Sequence, residues 1–206
     1  MKRVCAALLL ASLALAARFV GFEVKPNGNS ELDATTGVYT LNTGGTITDN
    51  KSGLSLVAKY IQYKDGEFIR AREARLRSRD GEFIAQSLEY QQKPDTLRME
   101  VVRYSSSTFK EITARQGLLL GENVLVLKGQ IRSSSPSLEA ETVVVDADKN
   151  QALVLGNFTY KDAGATLRGQ KANSTLLLSF NGGKVQASTK VPTNLLQRLQ
   201  GYADRL

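Results

Sequence analysis

Between Leu32 and Ser188 the apolar residues fall mostly on alternate positions, the period of a strand with one buried face, and the alternation breaks repeatedly in the same way. The spacing apolar, x, small, x, x, apolar, x, apolar appears as Leu32, Ala34, Gly37, Tyr39; as Leu56, Ala58, Ile61, Tyr63; and as Phe83, Ala85, Leu88, Tyr90. It returns as Ile112, Ala114, Gly117, Leu119 and as Leu138, Ala140, Val143, Val145, then decays in Leu167, Gly169, Ala172, Ser174. The starts lie 24 to 29 residues apart, a period that predicts one supersecondary unit stacked several times.

Each unit has a second half in period two. Aligning Gly129 with Gly156 sets Leu125 opposite Ala152, Leu127 opposite Val154 and Ile131 opposite Phe158. Leu97, Met99 and Val101 form a weaker example, and Val185 with Ala187 a last remnant. Turn chemistry separates the halves at Lys64-Asp65-Gly66, Arg79-Asp80-Gly81, Gly121-Glu122-Asn123, Asp148-Lys149-Asn150 and Asn181-Gly182-Gly183, all hairpin material. The expected fold is all-β, a stack of antiparallel strands.

The break in the alternation has two physical outcomes. In LEAETVVV, residues 138–145, Val143 follows Ala140 by three, so the later side chains move to the opposite face unless a bulge absorbs the extra residue and bends the strand. A bulge repeated at one level in every strand folds a flat stack into a V-shaped or barrel-like sheet with an apolar interior. The small residue at the third position (Ala34, Ala58, Ala85, Ala114, Ala140, Gly169) then leaves room where the walls meet.

Two segments lie outside the repeat. Met1-Lys2-Arg3, the apolar run Val4 to Ala17 and the small-x-small Ala14-Leu15-Ala16 have the form of a secretory signal peptide. The rival reading is a membrane anchor reaching about residue 22, although Arg18 ends the run short of the roughly twenty residues a spanning helix needs. After Pro192, Leu195, Leu196, Leu199, Tyr202 and Leu206 share one helical stripe, with Asn194 or Thr193 as N-cap. This C-terminal helix reads either as a lid over the terminal strand that limits polymerisation or as a stabilising cover on the sheet edge. The expected organisation is thus 1–17 leader, 22–191 repeat domain and 192–206 helix.

Composition narrows the function classes. The apolar share of 42% and charged share of 23% are those of a folded chain and not of a multi-span membrane protein. There is no histidine, and Cys5 is the one cysteine, so catalytic triads, thiolate or imidazole zinc sites and most general-base schemes are excluded. Glu139, Glu141, Asp146 and Asp148 lie close together but read as a solvated strand face, so no enzyme, metal or cofactor is expected. The charge of +7 falls to +5 without Lys2 and Arg3. It is densest at Arg70, Arg72, Arg75, Arg77 and Arg79, which as an unbroken strand would put Arg70 and Arg72 on one face and the others on the opposite one. That stretch reads either as a phosphate-binding rim for an anionic lipid or as a charged strand that discourages aggregation. Nucleic acid is a poor fit, because the interleaved aromatics of a stacking platform are missing.

The repeats Leu138-x-Ala140-x-x-Val143-x-Val145, Phe83-x-Ala85-x-x-Leu88-x-Tyr90 and Leu153-x-Leu155-Gly156-Asn157-Phe158 resemble those of the OstA-like family of periplasmic lipopolysaccharide-transport proteins, with its LptA and LptC components. The resemblance spans about Leu32 to Ser188. It implies an open-sided β-jelly-roll whose interior cradles acyl chains of lipopolysaccharide. It also implies a periplasmic location, edge-strand pairing with other OstA-like proteins into a transenvelope bridge, and an inner-membrane transporter complex as a further partner. On this reading the acyl-lining positions are Leu56, Ala58, Ile61, Phe83, Leu88, Leu97, Met99, Ile112, Leu125, Leu127, Ile131, Leu138, Ala140, Val143, Val145, Val154, Phe158 and Leu167, with Arg70, Arg72, Arg75 and Arg77 as the phosphate rim. Independently of any family, aliphatic walls bury an acyl chain at roughly 0.8 kcal/mol per methylene. Unpaired terminal strands are ready to pair with another chain. The alternatives are an envelope repeat protein with a solid core and a monomeric carrier of another lipid.

Overall fold

The computed structural model describes residues 22–49, 53–78, 81–106, 111–121, 123–162, 164–181 and 184–206. The expected leader, its anchor alternative up to residue 21, and Arg79 lie outside the described residues.

Four short strands open the fold: β1 (Glu23–Pro26), β2 (Glu31–Asp33), β3 (Val38–Leu41) and β4 (Gly45–Asp49). Eight long ones follow: β5 (Leu54–Lys64), β6 (Phe68–Arg77), β7 (Gly81–Gln91), β8 (Thr96–Ser106), β9 (Ile112–Leu120), β10 (Val124–Ser134), β11 (Ser137–Asp146) and β12 (Gln151–Asp162). Then come β13 (Ala165–Gly169), β14 (Thr175–Asn181), β15 (Lys184–Ser188) and one helix, α1 (Thr193–Ala203). All fifteen strands belong to one antiparallel sheet whose main path runs β1, β4, then β5 to β12 in sequence order, then β14 and β15. The expected all-β stack is what the chain forms.

The break in the repeat is a skipped pair at one level of each long strand, which from β9 to β12 becomes a bulge with a shift of register. Pairing skips Lys59 against Glu73, Glu73 against Gln86, Gln86 against Val101 and Val101 against Arg115. Further along it skips Gly129 and Gln130 against Glu141, and Glu141 against Gly156 and Asn157. The strands β6, β8, β10 and β12 carry a left-handed residue at this level: Glu73 (φ 47), Val101 (φ 48), Gln130 (φ 52) and Gly156 (φ 82). An unpaired residue in that conformation bends its strand, and bends aligned across eight strands make a fold line. Side-chain phase survives the crossing: Leu56 and Ala58 before the line and Ile61 after it are all buried.

Both ends of the sheet show that the line divides it into two walls. β5 pairs with β4 through Leu54–Ala58 but with β3 through Ile61–Tyr63. β12 pairs with β14 through Gln151–Leu155 but with β13 through Phe158–Asp162. One strand has two different neighbours on one edge only where the sheet has forked. The inward residues of both walls form one core, from Leu41 and Ile47 through Phe83, Leu97 and Leu127 to Leu176 and Phe180.

A second cluster lies on the outside. Leu118, Val126, Val144 and Leu153 point away from the interior and pack under Leu199 and Ala203 of α1, with Leu195, Leu196 and Tyr202 at the margin. This accounts for the unbroken run Val143-Val144-Val145: the first and third valines face the interior, and the middle one is covered by the helix. A strand buried on both faces loses its polar positions. The Arg198 guanidinium meets the nearly buried Asp146 carboxylate at 2.8 Å, and Arg98 donates to the Arg205 carbonyl at 3.3 Å.

Several expectations are corrected. The first repeat copy is no bulged strand: Ala34 to Gly37 form the turn between β2 and β3, because the Asp33 carboxylate accepts the Thr35 and Thr36 backbone N–H groups and caps that turn. In the sixth copy, β13 ends at Gly169 and the chain crosses to the other wall. Val101 is the skipped residue and 60% exposed, and Val102 takes the inward place. The helix starts after Pro192, with no side-chain cap hydrogen bond, so neither Thr193 nor Asn194 is its N-cap. It covers the outer face of the sheet, and not the terminal strand or the edge.

Candidate functional site

The positions expected to line an interior are brought together there. Leu56, Ala58, Ile61, Phe83, Leu88, Leu97, Met99, Ile112, Leu125, Leu127, Ile131, Leu138, Ala140, Val143, Val145, Val154 and Phe158 are all buried in the one core, and Leu167 packs half-buried against it. Sequence reasoning missed Ile69, Ala71, Ala74 and Leu76 of β6, Tyr104 of β8, and Leu176, Leu178 and Phe180 of β14, which line the same interior. Ala71 to Leu76 lie within the arginine-rich stretch; the signal that would have found them is the same three-residue gap, Ala71 to Ala74, as in the neighbouring strands.

The interior is not an empty trough along its length, and this is a correction. Leu41, Ile47, Leu54, Leu56, Ile61, Ile69, Leu76 and Leu97 are at most 1% exposed, so over β3 to β8 the facing walls fill the space with their own side chains. Toward the C-terminal end the filling loosens. Ile112, Ile131 and Leu138 of one wall, with Leu127, Val143 and Val145 of the other, enclose an apolar cavity that extends to Leu178 and Phe180. It is narrow, with a volume of about 20 Å³, room for about one water. Ser133 also lines it.

The two ends differ. At the N-terminal end Tyr39 stacks on Tyr63 with ring centres 5.0 Å apart, and Phe22 meets Tyr63 edge-on at 5.7 Å. Burial, then the neighbouring Tyr39 and Asp65, raise the Tyr63 hydroxyl above its ordinary value. At the other end half-buried Leu167, Val185 and Ala187 border the core. The outermost strands on the main path, β1 and β15, each pair on one side only.

The arginines are placed differently from the expectation. The skipped pair at Glu73 shifts the phase of β6, so Arg70, Arg72, Arg75 and Arg77 all face outward instead of dividing between faces. Each has a local partner. Arg70 bonds Glu89 at 3.1 Å and lies over the Phe68 ring, Arg72 lies 5.1 Å from the centre of the Tyr60 ring, and Arg75 and Arg77 share Glu82. The four form a row of ion pairs and ring contacts across the outside of both walls.

Among the described residues no group of three or more His, Cys, Asp or Glu could hold a metal ion, and no helix is long and apolar enough to cross a membrane. Compared with known proteins, the chain matches no family model and no curated protein.

Proposed function

We propose that the two-walled sheet is a β-jelly-roll of the OstA-like kind, exported to the periplasm, which shields acyl chains of lipopolysaccharide or a similar amphiphile and passes them along a bridge of edge-paired proteins. The observation that carries this reading is the architecture of the interior. Aliphatic side chains from every long strand converge between two walls joined along one fold line, and no pairing among the described strands joins their opposite rims. A solid two-sheet sandwich also leaves its rims unpaired; what a carrier needs in addition is walls that part. Each methylene entering such a space contributes about 0.8 kcal/mol, so a chain of a dozen carbons offsets the loss of some wall-to-wall contact. The single-sided strands β1 and β15 supply backbone groups for pairing with a second copy, with another OstA-like protein or with an inner-membrane transporter complex.

One observation favours a second reading, an envelope repeat protein with a solid core: the near-complete burial of the interior over β3 to β8. Extraction of the purified protein followed by mass spectrometry separates the two. The carrier reading expects an acylated amphiphile at close to one molecule per chain; protein that has met cell membranes and yields no lipid contradicts it.

A further inference from the structure

The outer faces of the two walls are finished differently. Leu118, Val126, Val144 and Leu153 lie on the wall that includes the β3-paired half of β5, and α1 covers them. The other wall, which includes the β4-paired half, leaves apolar residues open. Val57, Ile84 and Val101 of β5, β7 and β8 are exposed there, and among the described residues Leu32 is the one other large hydrophobic residue so exposed. Val57 and Ile84 share a cross-strand row in which Arg75 separates them and Arg103 follows. Val101, the most exposed of the three, sits at the skipped pair opposite Arg115, on the outer crest of the fold line.

Single apolar residues on a surface are ordinary. Three on neighbouring strands inside a cationic border have the composition of an interaction site. The border has positive charge to spare: Arg75 and Arg77 share one carboxylate, Glu82, Arg103 reaches Glu111 only at 4.0 Å, and Arg115 makes no ion pair among the described residues. The row loses its apolar residues after Arg103, with Thr113 on β9 and Glu139 two strands beyond.

The geometry points to an anionic lipid surface as the occupant of this face, docked through Val57, Ile84 and Val101 with Arg103 and Arg115 at the level of the headgroup phosphates. A convex crest needs no matching cleft in a layer that deforms around it, and short aliphatic side chains between long cationic ones suit the boundary between acyl chains and headgroups. Arginine bonds phosphate oxygens in pairs, and each one near an anionic leaflet strengthens binding about fivefold. Docking in this way turns α1 away from the membrane and leaves the interior untouched, so it holds whether or not the interior carries lipid.

The full chain includes the apolar run 4–17, able to hold it to a vesicle on its own, so the test reads the face locally. A fluorescent amino acid is placed at Gln86, on this face beside Ile84, or at Gln197, exposed on α1. Quenching by lipids brominated on their acyl chains is then followed in vesicles of equal parts phosphatidylcholine and phosphatidylglycerol. Quenching is expected at position 86 and not at 197, and is expected to fade in phosphatidylcholine alone. Arg103→Gln with Arg115→Gln should lower the docked-to-undocked ratio about fivefold for each arginine, and Ile84→Ser with Val101→Ser should abolish quenching at 86, with urea midpoints unchanged because all four side chains are exposed. Equal quenching at both positions, or quenching at 86 that survives both double substitutions, overturns the assignment. Quenching at neither position also overturns it and leaves the face to an acidic protein partner. The lipid extraction proposed above reads the interior alone, so the two readings fail separately.

Discussion

Glu141 lies opposite the two unpaired residues of β12, Gly156 and Asn157, and its carboxylate accepts the Asn157 backbone N–H at 3.0 Å and the Asn157 side-chain amide at 2.7 Å. Those bonds, the backbone one first, hold its pKa below the ordinary 4.5. A carboxyl group depressed in the folded state stabilises above its unfolded pKa and loses that contribution as pH falls through its folded one. Urea midpoints of the wild type and Glu141→Gln are therefore expected to differ at neutral pH and converge below pH 4.5; a gap that persists in acid would contradict the bulge-clamp role. Gly156 takes φ 82 at the same bulge, and a Cβ there would meet the Glu141 carboxylate. Gly156→Ala is expected to cost about 1–3 kcal/mol in backbone strain, read from denaturant unfolding. In the sequence Glu141 is legible only as an outward, solvated residue. Its partner sits on another strand, and which residues face one another across a bulge depends on a register that periodicity alone does not fix.

At the scale of elements, the strand halves and their common break are the most legible features, because burial of one face imposes alternation and a bulge leaves a gap of three wherever it occurs. The first repeat copy fails the same reading for a local reason. Asp33 caps a turn within four residues of Leu32, which leaves Leu32 53% exposed on a short edge strand. The helical stripe of α1 is legible too, but its seat is not: Leu118, Val126, Val144 and Leu153 look like part of the interior until alternation is enforced strictly through each run. Leu199 is fully buried against that seat. Leu199→Ala is expected to weaken helix docking by about 2–5 kcal/mol, seen as lost amide-exchange protection over 193–203 while β5 to β8 stay protected. Equal loss across the sheet would instead make α1 part of the main core. The outward arginines are engaged with exposed partners, and such pairs are worth about 0–1 kcal/mol. Arg70→Ala and Arg75→Ala should therefore leave both stability and lipid uptake nearly unchanged; a marked loss of uptake would restore them as a headgroup rim.

For the whole molecule, the folding of one sheet into two walls follows from breaks in pairing aligned strand after strand, a feature present in the sequence as repeat spacing. The forks at β5 and β12 are not readable there, since they depend on which distant segments reach the two halves of a bent strand. Nor is the degree of filling: Leu41, Ile47 and Ile69 each look like any inward residue, and only their contact across the walls shows that the N-terminal half is closed while the space by Leu127 and Val143 is not. With one-sided strands at both ends, sedimentation is expected to show assemblies that grow with concentration, as head-to-tail pairing without closure does; a size fixed at all concentrations would contradict edge pairing. The most direct test of the account is photo-crosslinking from inward Leu127 and Val143 against outward Lys128 and Glu139, in protein exposed to its native membranes. The account predicts lipid adducts from the inward pair alone, and labelling from both pairs equally, or from neither, would contradict it.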